Sequence, residues 1–240
     1  MSKFKKIMLW GLVSVSIVVL GAFIYLRQST YQATYEDDTF LSLSQVHQNL
    51  RIFEPLDHVL ANIIIYPGGL VERDSYAYLA YLLSLEGYRV FLVGMPFNLA
   101  ILNTDAAHDV MHDFPSDLKW YIGGHSLGGA SASLYIKDHQ DLYDGLFFLG
   151  AYPANSADLS EATLKVMSIT AQNDLILNAK TYLETQRLLP SHTVYQSIEG
   201  GNHSYFGFYG QQKNDGIATI SRNAQHLETV AMLINWIQST

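Results

Sequence analysis

The first pattern along the chain is an unbroken apolar run. Residues 7–26 carry no charge, and only Ser14 and Ser16 interrupt them as small polar members. As a helix this run spans about 30 Å, the thickness of a bilayer hydrocarbon core. Residues 28–58 are mixed and polar and read as a tether into a sheet, with early strands expected at 40–43 and 49–53. From residue 59 short apolar runs alternate with segments of helical period, the pattern of a parallel sheet with crossover helices. Strands are expected at 60–66, 88–93, 118–122, 145–149, 165–170 and 193–198. Between them, Asp74 is placed to cap a helix with Tyr76, Leu79, Ala80 and Leu83 on one face, stopped by Gly87. Further helices are expected over 105–113, from Gly129 to about His139, over 175–188 and over 222–239. The sum is a three-layer α/β/α sandwich on a mostly parallel sheet, occupying residues 59–240.

Composition narrows the chemistry. The chain has 240 residues, 49% of them hydrophobic, and no Cys. Disulfides, thiolate nucleophiles and Cys-ligated metals are therefore excluded. Lys3, Lys5, Lys6 and Arg27 supply four of the 14 basic residues within the first 27 positions, which hold no acid. Removing them leaves 10 basic against 22 acidic residues, a formal charge of −12. That balance is the reverse of a nucleic-acid footprint, so no nucleic-acid partner is expected. Three lysines before the apolar run and one arginine after it place the N-terminus in the cytoplasm. The run exceeds a signal-peptide core and no A-x-A-like cleavage site follows it, so residues 1–27 read as an uncleaved signal anchor. The expected localisation is a single-pass cell-membrane protein with its folded domain outside the cytoplasm.

Gly124-His125-Ser126-Leu127-Gly128 is a G-x-S-x-G pentapeptide set between an expected strand and an expected helix. Such a turn lifts the serine hydroxyl above the C-terminal edge of the sheet, and small residues at −2 and +2 let neighbouring backbone pass. It also aims the N–H of Leu127, at a helix N-terminus, at whatever sits on the hydroxyl. A serine needs a base. Among nine histidines, His203 in Gly201-Asn202-His203-Ser204 follows the last expected strand, the place for the base in the order Ser…acid…His. Asp174, after the strand at 165–170, is the carboxylate expected to orient that imidazole, with Asp158 and Glu199 as alternatives and a helix N-cap as its structural reading. A second oxyanion donor is expected from Pro67-Gly68-Gly69-Leu70, at the N–H of Gly69 or its neighbour Leu70.

These residues carry a resemblance. Tyr66-Pro67-Gly68-Gly69, Met95-Pro96-Phe97-Asn98-Leu99-Ala100, the glycine-rich stretch from Gly123 to Gly129, Glu199-Gly200-Gly201-Asn202-His203 and the run Phe206-Gly207-Phe208-Tyr209-Gly210 with Asp215-Gly216 cover most of 60–220. The chain resembles the α/β-hydrolase superfamily, and more narrowly the bacterial "α/β hydrolase fold-5" family related to dienelactone hydrolases. The resemblance implies a Ser126–His203–Asp174 triad and a small or absent lid. It departs from dienelactone hydrolases in holding Ser where they use Cys, so their substrate does not carry over. The expected activity is hydrolysis of a small-molecule or lipid-like carboxylic ester, or an amide or thioester, through an acyl-enzyme. No cofactor is required. An acyltransferase with the same triad, or a catalytically silent binding module, is the alternative. Leu70, Phe97, Asn98, Tyr205 and Phe206 are candidate pocket residues.

Other signals have simpler readings. His108 and His112 share a helical face with metal-ligand spacing, but on a polar helix they read as solvated. His125 reads as a packing residue, Asp215 as a turn acid, and the sequon Asn202-His203-Ser204 as coincidence.

Overall fold

In a computed structural model that describes residues 3–239, the chain forms two compact units, one up to Thr30 and one from Tyr31 onward. Met1, Ser2 and Thr240, the ends of the expected segments, lie outside the described residues. The first unit is one helix, α1 (Lys3–Gln28), long and apolar enough to cross a membrane. Its lone serine bond, from Ser14 Oγ to the Trp10 carbonyl at 2.9 Å, satisfies the hydroxyl within the helix.

The second unit is built on eight strands: β1 (Ser44–His47), β2 (Leu50–Phe53), β3 (Ala61–Tyr66), β4 (Tyr88–Val93), β5 (Trp120–His125), β6 (Gly145–Leu149), β7 (Lys165–Ala171) and β8 (Val194–Ile198). They run in the order β1-β2-β4-β3-β5-β6-β7-β8, parallel from β4 to β8, with β1 and β2 antiparallel at one edge. Five helices cover the sheet: α2 (Ala77–Leu85), α3 (Ala106–Asp113), α4 (Leu127–Ile136), α5 (Ala179–Thr185) and α6 (Arg222–Gln238). Strand alternation divides the core. Ile63 and Ile65 face a cluster with Leu79, Leu83 and Trp236 of α2 and α6, while Ile64 and Tyr66 face one with Val110, Tyr135 and Ile136 of α3 and α4. A sheet buried on both faces explains why its strands read as continuous apolar runs.

The differences from the expected elements have local causes. The stretch 40–43 is a 3₁₀ turn (Thr39–Leu43), and pairing starts only at Ser44. From Tyr31 the segment expected as a tether belongs to the folded unit, bridging Val71 and contributing β1 and β2. Asp74 does not cap α2. Its carboxylate takes a two-point bond from Arg51 of β2, 2.9 and 2.8 Å, and another from Arg73, so the turn Arg73–Tyr76 precedes the helix instead. Helix α5 is shorter than expected, because Asn178, not Asp174, supplies its N-cap through a bond from Thr181 N–H.

Candidate active site

β5 ends at His125 and α4 begins at Leu127, so Ser126 alone makes the turn between them. Its backbone sits at φ 51° and ψ −120°, a conformation that costs a non-glycine residue about 1–3 kcal/mol. The turn is held by the Ser126 N–H on the Leu149 carbonyl at 3.0 Å, and by the Ala130 N–H on the Ser126 carbonyl at 3.3 Å. The flanking glycines make room. A Cβ on Gly124 would lie 2.6 Å from the Tyr66 carbonyl oxygen, and one on Gly128 would lie 2.5 Å from that of Pro67.

The imidazole and the carboxylate come from the loops after β8 and β7. Nδ1 of His203 lies 2.7 Å from Oδ2 of Asp174, with both side chains 1% exposed. The other carboxylate oxygen accepts the N–H groups of Ile176 at 2.9 Å and Leu177 at 2.8 Å. An ionised carboxylate can only accept, so the neutral ring carries its proton on Nδ1 and leaves Nε2 as an acceptor. Asp215 fastens the histidine loop by accepting the Ser204 N–H at 2.8 Å and the Ser204 hydroxyl at 2.6 Å. Asn202 is fully buried, donates to the Gly216 carbonyl and accepts the Tyr205 N–H, so the sequon side chain is structural.

Ser126 and His203 line one cavity of about 340 Å³, closed around by Leu127, Ala130, Gly150 to Tyr152 and Ile176 to Asn178. In the loop after β3, three consecutive N–H groups differ in what they bond. That of Gly68 donates to the Tyr76 hydroxyl at 2.9 Å and that of Leu70 to the Asn98 carbonyl at 2.7 Å. Between them, the Gly69 N–H makes no hydrogen bond among the described residues, and Gly69 packs against the Leu127 side chain. The Leu127 N–H, at the first position of α4, has no intrahelical partner. The Gly69 and Leu127 N–H groups are thus two donors without a hydrogen-bond partner among the described residues, on segments that meet through the Leu127 side chain.

The five candidate pocket residues lie outside this cavity's lining. Leu70 and Asn98, both at positive φ, lock two loops together. Phe97 is exposed, and Phe206 is buried with its ring 5.6 Å from His125. Tyr205 lines a different groove, because the turn Ser204–Phe206 packs toward α6. The residues that do wall the cavity follow the C-terminal ends of β6 and β7. Their position at strand ends was the available signal, since ligand sites gather there in parallel sheets. Asp158 and Glu199 are exposed, as are His108 and His112.

Residues 62–227 match the alpha/beta hydrolase family, and the chain belongs to that family. No curated protein is similar enough in sequence to be matched. Among solved structures it is similar to an alpha/beta hydrolase enzyme from the sediment metagenome of the Mar Chica lagoon, Morocco. That pair is 16% identical, with 81% of this chain and 97% of that one covered at a TM-score of 0.60. A dienelactone hydrolase from Anabaena variabilis is 15% identical over 81% of this chain and 94% of its own, TM-score 0.54. A membrane phospholipase A, described as a bacterial virulence factor, is 13% identical over 98% of this chain and 100% of its own, TM-score 0.59.

Proposed function

We propose that the chain is a membrane-anchored serine hydrolase that cleaves a carboxylic ester through an acyl-enzyme. Ser126 Oγ attacks the ester carbonyl as His203 Nε2 takes its proton. Asp174 holds the ring and stabilises the imidazolium, and the N–H groups of Gly69 and Leu127 receive the oxyanion. His203 then protonates the leaving alcohol, and a water activated by the same nitrogen releases the acid and restores Ser126. The observation that carries this reading is the buried 2.7 Å contact of His203 with Asp174, lining one cavity with a serine at positive φ. Helix α1 supplies the anchor, with Lys3 and Lys5 on the cytoplasmic side and the sheet domain outside. The ester and membrane parts of the reading are supported by the similarity to a protein named a membrane phospholipase A.

The test is covalent labelling. A fluorophosphonate probe reacts with wild type and not with Ser126→Ala, and wild type turns over a short p-nitrophenyl ester. Equal labelling of both proteins rejects Ser126 as the nucleophile. Labelling without turnover, in a panel of esters with acyl chains of graded length, favours the silent module.

A further inference from the structure

A second concavity, about 700 Å³, opens on the face that carries α2 and α6, and Ser126 is not among its lining residues. Its lining includes a cation with no ion-pair partner among the described residues. Arg222, the first residue of α6, stacks its guanidinium 4.6 Å from the Tyr205 ring centre and 5.2 Å from that of Phe208. Among the described residues it forms no ion pair, and its buried Nε has no hydrogen-bond partner. Burial lowers its pKa from the ordinary arginine value, and the Tyr205 hydroxyl only partly offsets this. A basic residue in the first turn also faces the positive end of its own helix dipole. One turn further on, the His226 ring packs behind Phe208 and Tyr78 with centroids 4.9 and 5.7 Å away, and neither of its buried nitrogens is bonded. Such a cluster costs stability unless something supplies an acceptor.

From Phe208 the lining continues into further aromatic rings, with Tyr35 centred 4.8 Å and Tyr78 5.3 Å from it. Tyr35, Phe40, Tyr78 and Tyr81 pack as a group, with Phe40 centred 5.0 Å from Tyr35, 5.5 Å from Tyr78 and 5.4 Å from Tyr81. Beside them the exposed acids Glu36 and Asp37 line the rim. Aromatic faces next to carboxylates suit an alkylammonium. A simple anion would meet the guanidinium and also these acids. A ligand with charges of both signs, set apart along its length, satisfies both the guanidinium and the acids.

We propose that this groove is a binding site for a zwitterionic phosphoester of the phosphocholine type. Its phosphate pairs with Arg222, and its ammonium lies against the cluster of Tyr35, Phe40, Tyr78 and Tyr81 beside Glu36 and Asp37. The ligand is a lipid headgroup or a free phosphoester of the same chemistry. The site is separate from the Ser126 cavity and does not depend on the hydrolase reading.

Calorimetric titration of the full chain in dodecyl maltoside tests it. Phosphocholine binds, and inorganic phosphate or choline alone binds about tenfold more weakly or less, since each loses one charged contact. Arg222→Gln weakens phosphocholine by about tenfold or more in a protein that still unfolds cooperatively. The double variant Glu36→Gln, Asp37→Asn weakens phosphocholine but not phosphate, which keeps the proposal testable should Arg222→Gln misfold. Ser126→Ala leaves all these affinities intact, so failure of the catalytic reading is read separately. Displacement of bound phosphocholine by phosphatidylcholine in mixed micelles assigns the headgroup source, and displacement by glycerophosphocholine alone assigns the free phosphoester. Absence of phosphocholine binding, equal affinity for inorganic phosphate, or a folded Arg222→Gln that binds as wild type does overturns the proposal.

Discussion

The Tyr76 hydroxyl lies 2.8 Å from Nδ1 of His125 and takes the N–H of Gly68 at 2.9 Å. With Gly68 N–H on its oxygen, the hydroxyl has Nδ1 as the acceptor for its own proton, so His125 carries its hydrogen on the buried Nε2, toward the main chain of His203. Burial pushes the His125 pKa well below the ordinary value. The neighbouring His203 adds to this, and the main chain of His203 offsets it only in part. The ring is therefore neutral, 4.3 Å from that of His203. A second charge at that distance would oppose the imidazolium that the proposed mechanism forms on His203.

Tyr76→Phe tests whether this contact sets the loop that presents Gly69. It removes the acceptor for Gly68 N–H and leaves the loop able to drift from the oxyanion. The expected result is a kcat for ester hydrolysis lowered about tenfold with little change in KM, because the interaction matters most at the transition state. The denaturation midpoint falls as well, by the equivalent of about 1–3 kcal/mol for the orphaned groups. A lowered midpoint with kcat unchanged would make Tyr76 a packing residue only.

Asp174→Asn separates orientation from folding. The amide oxygen can still accept the N–H groups of Ile176 and Leu177, so the loop and the melting temperature are retained. Its NH₂ then faces Nδ1 of His203 as a donor, which forces the other tautomer and removes the acceptor at Nε2. The expected loss in kcat is about 10⁴-fold, as for a triad whose ring holds the wrong proton. A loss of less than tenfold in steady-state kinetics would place the orienting acid elsewhere.

These residues also mark the limit of what the sequence conveys. Runs such as Ile63-Ile64-Ile65 and the glycines around Ser126 impose local constraints, burial on both faces and close backbone approach, and such constraints are written in consecutive residues. Asp74 is different. Its position two residues before an amphipathic pattern suits a cap, but its partner Arg51 is 23 residues away and is brought there only by the antiparallel strand β2. Tyr76 was legible as an apolar helix position and not as a hydrogen-bonding group, because its two partners, Gly68 and His125, converge only when β3 and β5 pair. Tyr205 likewise follows His203 by two residues yet faces the Arg222 groove, a direction set by a 3₁₀ turn that no periodicity announces.

His226 gives a pH-dependent prediction with a definite sign. Burial, followed by the charge of Arg222, lowers its pKa from 6.5 to about 3 in the folded chain. Between those values the unfolded chain binds a proton that the folded chain refuses, so this residue makes stability fall as pH drops from 6.5 toward 3. The contribution is at most about 1.4 kcal/mol per pH unit. His226→Phe keeps an aromatic ring against Phe208 and Tyr78 and removes two unbonded nitrogens. Near pH 7.5 its unfolding free energy should therefore match or exceed that of wild type. As the pH is lowered through 5.5 to 4.5, urea titrations should show the variant gaining on wild type, because only wild type takes up the extra proton on unfolding. Parallel stability curves over that range would mean that the ring titrates alike in both states and is reached by solvent in the folded protein.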